Sequence, residues 1–294
     1  MHDQIPDYPL AAMRERLLEH TGYLLRLAYD RAQRVAAEEM PSGRHPRLFG
    51  VLTALVTAGP VSQQQLADRL RVNRTMMVSV VDELERDGLV ERRRDPADRR
   101  SYNLYVTPAG RDLLATLDAE VAGAETVMTA PLTAAERARL NELLRTRLAA
   151  EPDLLIPPAL ADRTGFLISQ AHLRGRERAN ELFADLPIEI RHYGLMLALA
   201  EVGPSSQQAL AREFRVSGTM VTQIVDDLER AGLAERRRNP ADRRSYTVSL
   251  TPEGERRLAE ARRRVGQLEG ELAAPAGEAG DRELRALLRK LVGI

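Results

Sequence analysis

One arginine-rich segment occurs twice in this sequence, and the repeat limits how the chain can fold. Residues 91–108 read ERRRDPADRRSYNLYVTP, and residues 235–252 read ERRRNPADRRSYTVSLTP. The offset is 144 residues (235 − 91), and it holds without a gap from Gly50 and Gly194 onward. An ungapped repeat of this length predicts two copies of one structural unit in a single polypeptide.

The composition is that of a globular protein. A chain of 294 residues is long enough for two domains, and 44% hydrophobic with 29% charged residues argues against disorder. Cysteine is absent, which excludes disulfides, thiolate metal sites and a cysteine redox switch. The first ten residues contain acidic residues and prolines, unlike a signal peptide, and the apolar run at 49–58 is too short to cross a bilayer. We therefore expect a soluble, cytoplasmic protein without membrane contact.

The segment before the first arginine-rich run predicts a series of helices. Helical spacing of leucines predicts a helix over 11–39, and Pro46 opens a second that ends before Gly59-Pro60. A capping box of Ser62 and Gln65 opens a third helix over 62–70. A fourth spans 75–86 and ends at Gly88, and two short helices joined by a tight break predict a helix-turn-helix.

The arginine-rich run itself predicts a β-hairpin. Two short strands at 89–94 and 101–107 flank an Asp-Pro turn, as the equivalent strands of the second copy flank an Asn-Pro turn. Thr107 and Pro108 are typical first residues of a helix, which we expect to run to about residue 128. A second capping box, Thr133 with Glu136, predicts a helix to about residue 148. A hairpin after a helix-turn-helix is interpreted as a wing.

The prolines at 157 and 158 suggest where the two copies join. We predict a stiff, extended Pro-rich linker over 151–160, which separates a first unit at 1–150 from a second at 161–294. The winged helices are expected at about 46–108 and about 189–252. The further helices predicted in the second copy are 164–182, 188–200, one that opens at 205–208, 218–230, 252–272 and 282–292.

The residues from Leu66 to Gly110 and from Leu210 to Gly254 resemble the MarR family of winged helix-turn-helix transcriptional regulators. The most specific part of the resemblance is the string GL-x-ER-x-x-(D/N)-P-x-D-R-R, followed by (V/L)TP-x-G. It implies a mainly α fold with small β-wings, in which two winged domains share a helical dimerisation region. Because the family works as homodimers, this chain is expected to be a fused dimer with pseudo-two-fold symmetry that acts as a monomeric chain.

The resemblance implies a sequence-specific DNA-binding regulator that acts as a ligand-responsive repressor. Its partner is a double-stranded, pseudo-palindromic operator. By matching position, the base-reading helices contribute Asn73, Arg74, Thr75 and Ser79 in the first copy and Ser217, Thr219, Thr222 and Gln223 in the second. The alternative reading is that these residues only cap and solvate a helix.

The wings are the second set of expected DNA contacts. Arg92, Arg94, Arg236 and Arg238 are expected to contact phosphates. The resemblance implies that a wing-tip arginine enters the minor groove, held by a nearby aspartate. The residues concerned are Asp98, Arg99 and Arg100 in the first copy and Asp242, Arg243 and Arg244 in the second. The alternative is a solvated charged face.

The two recognition helices differ in sequence from each other. At equivalent positions of the repeat, the second copy has Gly218 for Arg74, Thr222 for Val78 and Gln223 for Ser79. The family usually has polar residues at the last two positions, so Val78 departs from its pattern. We expect the two halves of the operator to differ in sequence.

A small aromatic or phenolic effector is also implied by the resemblance. The candidate residues are Tyr23, Tyr29, His45, Phe166, His172 and His192, although a lone histidine or tyrosine on a helix is more often a packing residue. The five histidines lack metal-ligand spacing, so neither a metal nor another cofactor is expected.

Nothing in the sequence supports catalysis. There is no glycine-rich phosphate loop, nucleophile elbow or metal-ligand pair, and the chain is predicted not to be an enzyme. Two alternatives to a regulator remain open, namely a small-molecule-binding protein or a protein-interaction scaffold whose winged domains contact DNA only in part. A steep salt dependence of DNA affinity distinguishes the regulator from both.

Overall fold

A computed structural model describes residues 15, 17–70, 72, 74–95, 101–149, 156–214, 216–238 and 246–294. This part of the chain folds into twelve α-helices and two small antiparallel sheets, which confirms the mainly α fold with small β-wings. The elements of the first half are α1 (Thr21–Glu39), α2 (Pro46–Ala58), β1 (Val61–Ser62), α3 (Gln63–Leu70), α4 (Arg74–Arg86), β2 (Val90–Arg94), β3 (Tyr102–Val106), α5 (Pro108–Thr129) and α6 (Ala134–Ala149). Those of the second half are α7 (Thr164–Leu182), α8 (Ile190–Val202), β4 (Ser205–Ser206), α9 (Gln207–Phe214), α10 (Gly218–Arg230), β5 (Ala234–Arg238), β6 (Tyr246–Leu250), α11 (Pro252–Ala273) and α12 (Gly277–Val292).

The chain divides into two compact units that take residues from both halves of the sequence. The first unit comprises Leu24–Arg174 and Ala273–Ile294, and the second comprises Met1–Tyr23 and Gly175–Leu272. Each unit thus combines one winged helix with a terminal segment that belongs to the other half.

Each unit has its own aliphatic core. In the first, Leu52, Leu66 and Leu84 are fully buried and join α2, α3 and α4. In the second, Leu210 and Leu228 occupy the positions equivalent to Leu66 and Leu84 and are also fully buried. Burial of these side chains from water is the main force that holds each helix-turn-helix together.

Each wing has three strands rather than the two that the sequence predicts. The order is β1-β3-β2 in one sheet and β4-β6-β5 in the other, and every neighbouring pair is antiparallel. The additional strands, β1 and β4, are two residues long and lie directly before a helix. A strand this short shows no alternation of polar and apolar residues, so its sequence pattern does not reveal it.

The prediction of one continuous helix over 11–39 is wrong, and its first residues lie outside the described part of the chain. A turn at 18–20 interrupts it, where the His20 amide donates to the Leu17 carbonyl, and α1 begins at Thr21. The imidazole of His20 lies 2.8 Å from the Glu269 carboxylate of α11. A packed partner therefore stabilises the break, which leucine spacing alone does not predict.

The expectation of an extended linker is wrong for its last three residues. Pro158–Leu160 form one turn of 3-10 helix, and Leu160 is fully buried in the core of the first unit. The residues from 151 to 155 lie outside the described part of the chain.

In the first unit, α12 packs antiparallel against α6 at equivalent positions of the repeat. Arg139 of α6 donates to the Glu283 carboxylate of α12 at 2.8–3.1 Å, and these residues are 144 positions apart (283 − 139). Lys290 of α12 reaches back to Glu136 at 2.6 Å. Contact between equivalent positions is the geometry that a two-fold axis produces in a homodimer.

Candidate nucleic-acid interface

The structure contains the two helix-turn-helix elements that the sequence predicts. The Ser62 capping box is confirmed, since the Gln65 amide donates to Ser62 Oγ at 3.2 Å and the Ser62 amide to Gln65 Oε1 at 3.0 Å. The break before α4 closes with a bond from the Val72 amide to the Ala67 carbonyl at 3.0 Å. In the second copy the Val216 amide makes the equivalent bond.

The recognition helix of the first unit, α4, has one buried face and one exposed face. Its buried face consists of Met77, Val80, Val81 and Leu84. The predicted base-reading residues Arg74, Thr75 and Ser79 are all exposed, and so is Val78 at 43%. Asn73 lies outside the described residues. The exposed side of α4 is therefore polar, with the apolar side chain of Val78 in its middle.

The recognition helix of the second unit, α10, exposes the same face with different side chains. Ser217 is its N-cap and accepts from the Met220 amide at 3.2 Å. Of the predicted base-reading residues, Thr219, Thr222 and Gln223 are exposed. The hydroxyl of Thr222 lies 3.0 Å from the side-chain amide of Gln207 in α9, a contact that Val78 cannot make in the first copy. The two faces therefore differ in hydrogen bonding as well as in sequence.

In each unit, an arginine of the wing forms ion pairs with the recognition helix. In the first unit the guanidinium of Arg92 on β2 binds Asp82 at 2.8 Å and Gln63 at 3.0 Å, and it also pairs with Glu85. In the second unit Arg236 binds Asp226 at 2.6 Å and pairs with Glu229.

These ion pairs neutralise the two arginines where the wing meets the helix. Both side chains are mostly buried, with 30% of Arg92 and 23% of Arg236 exposed. A guanidinium that already satisfies two carboxylates has less charge to offer a phosphate than one that faces solvent.

Arg94 and Arg238 differ from this pair because both are exposed at the outer end of the wing strands. The wing tips themselves lie outside the described residues, including Asp98, Arg99 and Arg100 in the first copy and Asp242, Arg243 and Arg244 in the second.

Two residues that the sequence analysis did not single out lie beside the exposed arginines. Tyr102 pairs with Arg94 across β2 and β3, and Tyr246 pairs with Arg238 across β5 and β6. The two tyrosines are 48% and 50% exposed. Their repetition at an offset of 144 residues (246 − 102) is the sequence signal that could have identified them.

The Thr-Pro-x-Gly motif anchors the start of α5 to the end of the recognition helix. Thr107 caps α5 by accepting from the Gly110 amide at 3.1 Å, and its hydroxyl donates to the Gly88 carbonyl at 2.8 Å. A Cβ on Gly110 would lie 2.1 Å from the Leu89 carbonyl oxygen. Thr251 and Gly254 repeat this arrangement, with the added Cβ at 2.0 Å from the Leu233 oxygen.

His192 occupies a buried position at the start of α8. Its Nδ1 accepts from the Glu189 amide at 2.8 Å, and its Nε2 lies 3.4 Å from the Asp227 carboxylate of the recognition helix. Burial of the ring lowers the pKa of His192, and the neighbouring Arg191 charge lowers it further, against the opposing effect of Asp227. A neutral imidazole that accepts at Nδ1 and donates at Nε2 fits both contacts.

The candidate effector residues fall into both units. In the first, Tyr29 and His172 lie ring to ring, with centroids 4.8 Å apart, and Arg47 donates to the Tyr29 hydroxyl at 3.3 Å. Phe166 packs against the core of the same unit. His45 caps α2 by accepting from the Arg47 amide. Tyr23 packs in the second unit, which also contains His192.

One open, polar cleft of about 620 Å³ borders the recognition helix of the first unit. It is lined by residues of the loop between α1 and α2, including Arg44 and His45, and by Ser79, Arg86 and Asp87 of α4 and its C-terminus. Arg44 pairs with Asp87 at 2.7 Å across it. Desolvation and the Arg47 charge lower the pKa of His45 to about 4, so this lining histidine is neutral near pH 7.

Two other kinds of feature are absent from the described residues. Within them, no histidines and carboxylates cluster in a group that could hold a metal ion. Over the same residues, no helix combines the length and apolar character that crossing a bilayer requires.

Comparison with known proteins identifies the two winged helices. MarR family models match residues 46–102 and residues 185–245, which are the regions that carry the two recognition helices. The chain is 38% identical over 103 residues to a transcriptional regulatory protein for the hcr operon of Thauera aromatica, a match that covers 35% of this chain and 62% of that protein. This chain therefore spans less than two thirds of that relative.

Two further proteins are similar over most of their own length. The transcriptional repressor NicR of Pseudomonas putida is 28% identical over 45% of this chain and 85% of its own. The crystal structure of PcaV, a transcriptional regulator of Streptomyces coelicolor solved with its natural ligand, is 29% identical over 44% of this chain and 92% of its own, with a TM-score of 0.41.

The relatives are named as transcriptional regulators, which agrees with the prediction that the chain is not an enzyme. The two model matches lie in separate halves of the sequence, and each covers one helix-turn-helix. The chain therefore contains two MarR-type winged helices in tandem, at residues 46–102 and 185–245.

Proposed function

We propose that this chain is a sequence-specific DNA-binding transcriptional repressor that does the work of a MarR dimer with one polypeptide. Its two recognition helices would enter successive major grooves of one operator, with half-sites about one helical turn apart. Fusion makes dimerisation intramolecular, at an effective concentration on the order of millimolar. DNA binding would therefore not weaken on dilution through dissociation of a dimer.

The observation that carries the proposal is the contact between Arg139 and Glu283. These residues are equivalent in the repeat, and their side chains meet within the first unit. In a homodimer the same contact would be made by one residue with its own symmetry mate across a two-fold axis. It supports a pseudo-symmetric dimerisation region formed by α6 and α12 in one chain.

The operator would have two half-sites of different sequence. The exposed face of α4 offers Arg74, Val78 and Ser79, whereas α10 offers Thr222 and Gln223. An apolar side chain suits a thymine methyl group, and a glutamine can bind adenine through two hydrogen bonds. The two recognition helices can diverge in this way because each is encoded separately. In a homodimer both subunits present the same helix.

Salt-dependent DNA binding tests the proposal. Binding to the duplex upstream of the protein's own gene is measured by fluorescence anisotropy over a salt series, beside a scrambled duplex of the same composition. Wild type is compared with Arg99→Ala/Arg100→Ala and with Arg243→Ala/Arg244→Ala. We expect each double variant to weaken binding and to lower the salt slope, by about 0.9 for each phosphate that the variant no longer neutralises.

The outcomes separate the alternatives. Weaker binding in both variants supports a clamp with two wings, and weaker binding in only one assigns a structural role to the other half. If wild type binds the upstream duplex no better than the scrambled one, the repressor proposal fails. The scaffold and small-molecule-binding alternatives then remain.

We further propose a small aromatic or phenolic effector in the first unit, because Tyr29 and His172 form an aromatic contact beside the Arg47 guanidinium. A phenolic acid could stack on these rings and pair its carboxylate with the arginine. The probe is 4-hydroxybenzoate, followed by calorimetry and by thermal unfolding, since a ligand specific for the folded state raises Tm. Wild-type affinity in Tyr29→Phe/His172→Ala, or no binding to wild type, would refute this site.

A further inference from the structure

We propose that Tyr102 and Tyr246 are uncharged contacts to the DNA backbone, in which each phenol hydroxyl donates to a phosphate oxygen beside Arg94 or Arg238. The inference rests on the proposed DNA-binding function and assigns it a further pair of residues.

The register of the wing strands determines which way these tyrosines face. Alternate residues of a strand share a face, so Tyr102 lies on the same side of β3 as Leu104. Leu104 is 1% exposed and pairs with Arg92, which binds Asp82 of the recognition helix. This face of the wing therefore contacts α4 at the position of Arg92 and Leu104. Arg94 and Tyr102 lie on the same face, two residues nearer to the wing tip.

The second wing has the same arrangement. Tyr246 shares its strand face with Val248, which is fully buried and pairs with Arg236 across β5 and β6. Arg236 binds Asp226 of α10. In both units an exposed Arg–Tyr pair thus extends the face that packs on the recognition helix, and DNA that reaches this helix would approach the same face.

The exposure of these rings sets them apart from their neighbours. Tyr102 and Tyr246 are half exposed, although the next residue on the same strand face is buried in each case. A phenol offers an apolar ring for a sugar and a neutral donor for a phosphate, and tyrosine is among the side chains that contact the DNA backbone.

Comparison of the two copies supports a role that does not depend on base sequence. At the equivalent positions 78/222 and 79/223 of the recognition helices the residues differ, but the pairs Arg94–Tyr102 and Arg238–Tyr246 are identical. Contacts to bases must change when half-sites diverge, whereas contacts to phosphates need not.

Tyr105 provides a matched control within the same hairpin. It lies one residue beyond Leu104, on the opposite face of β3, where the Arg93 guanidinium lies over its ring at 4.8 Å. Its hydroxyl is not expected to reach DNA.

The experiment uses the full chain and a duplex of about three helical turns, recovered by wild type from a randomised pool, beside a scrambled duplex. Anisotropy over a salt series compares wild type with Tyr102→Phe/Tyr246→Phe, Arg94→Gln/Arg238→Gln and Tyr105→Phe. Thermal unfolding verifies that each variant folds like wild type. The readouts are the affinity at one salt concentration and the slope of affinity against salt.

We expect the double phenylalanine variant to bind both duplexes about 25-fold more weakly, at about 5-fold for each hydrogen bond removed. Its salt slope should equal that of wild type, because a neutral donor releases no counterion. The double glutamine variant should lower the slope by about 0.9 for each arginine, and Tyr105→Phe should bind like wild type.

Wild-type affinity in the double phenylalanine variant would overturn the inference while leaving the repressor proposal intact. A reduced salt slope in that variant would also overturn it, since the tyrosines would then act through a charge. If wild type itself shows no salt-dependent binding to either duplex, the proposed function fails and this inference with it.

Discussion

Replacement of Gly110 by alanine should destabilise the first unit strongly. An added Cβ would lie 2.1 Å from the Leu89 carbonyl oxygen and 2.9 Å from Cγ1 of Val106. Ordinary van der Waals contacts are more than an ångström longer than the first of these distances, so the carbonyl or helix α5 must move. The carbonyl is not free to move, because it accepts from the Thr107 amide at 3.0 Å and the Leu89 amide is bonded to Leu84 at 2.8 Å.

The size of the effect follows from what the movement breaks. Overpacking in a tight site costs about 1–3 kcal/mol. Breaking the bond between the Thr107 amide and the Leu89 carbonyl costs about 1 kcal/mol more. The expected decrease in unfolding free energy is therefore about 3 kcal/mol, which lowers Tm by roughly 6–12 °C in a domain of about 150–250 residues.

Urea and thermal unfolding, followed by circular dichroism, measure the change. Gly254→Ala should cost a similar amount in the second unit, where the equivalent distance is 2.0 Å. Gly123→Ala and Gly266→Ala are controls on exposed helix positions with open space around the added Cβ, and each should stabilise by up to about 1 kcal/mol. If Gly110→Ala unfolds at the same urea concentration as Gly123→Ala, the steric argument for the Thr-Pro-x-Gly motif is refuted.

Other substitutions test the remaining contacts. Thr107→Ala removes the cap of α5 and the hydroxyl bond to Gly88, and should cost about 1–2 kcal/mol in urea unfolding; a decrease below about 0.5 kcal/mol would contradict this. His192 has a pKa below its unfolded value of about 6.5, so the folded state binds fewer protons and stability should fall as pH drops below about 6.5. His192→Leu should reduce that fall, and equal pH profiles would disprove the assignment. Arg92→Gln should weaken DNA binding with little change in salt slope, whereas a slope lowered by about 0.9 would make Arg92 a phosphate contact.

Local signals in the sequence were sufficient to predict most of the helices, including the two recognition helices α4 and α10. Capping residues and glycines act through their own neighbours, so the boxes at Ser62 and Thr133 form as expected. Gly88 has a φ of +69°, as a residue that ends a helix in the left-handed region should. The repeat made the second copy predictable from the first, including a recognition helix with the predicted bounds, Gly218–Arg230.

Features that depend on distant contacts were not predictable in this way. Helix α12 begins at Gly277, five residues before the predicted 282. The sequence did not indicate this first turn because its two glycines have low helix propensity. There Gly280 fits where a larger residue would not, because an added Cβ would lie 2.8 Å from Cβ of Ala276. The ion pairs and the hydrogen bond of Arg92 likewise join residues from three elements. No local pattern reveals that this arginine is paired while Arg94 is exposed.

The number of chains on one operator tests the central claim most directly. The duplex that wild type recovers from a randomised pool is titrated with wild-type protein. The mass of the complex is determined by native mass spectrometry and by light scattering after gel filtration, at several dilutions. We predict one chain per duplex, with an affinity that does not depend on dilution of the protein. Two chains per duplex, or binding that appears only at concentrations where the chain self-associates, would contradict a single-chain equivalent of the MarR dimer.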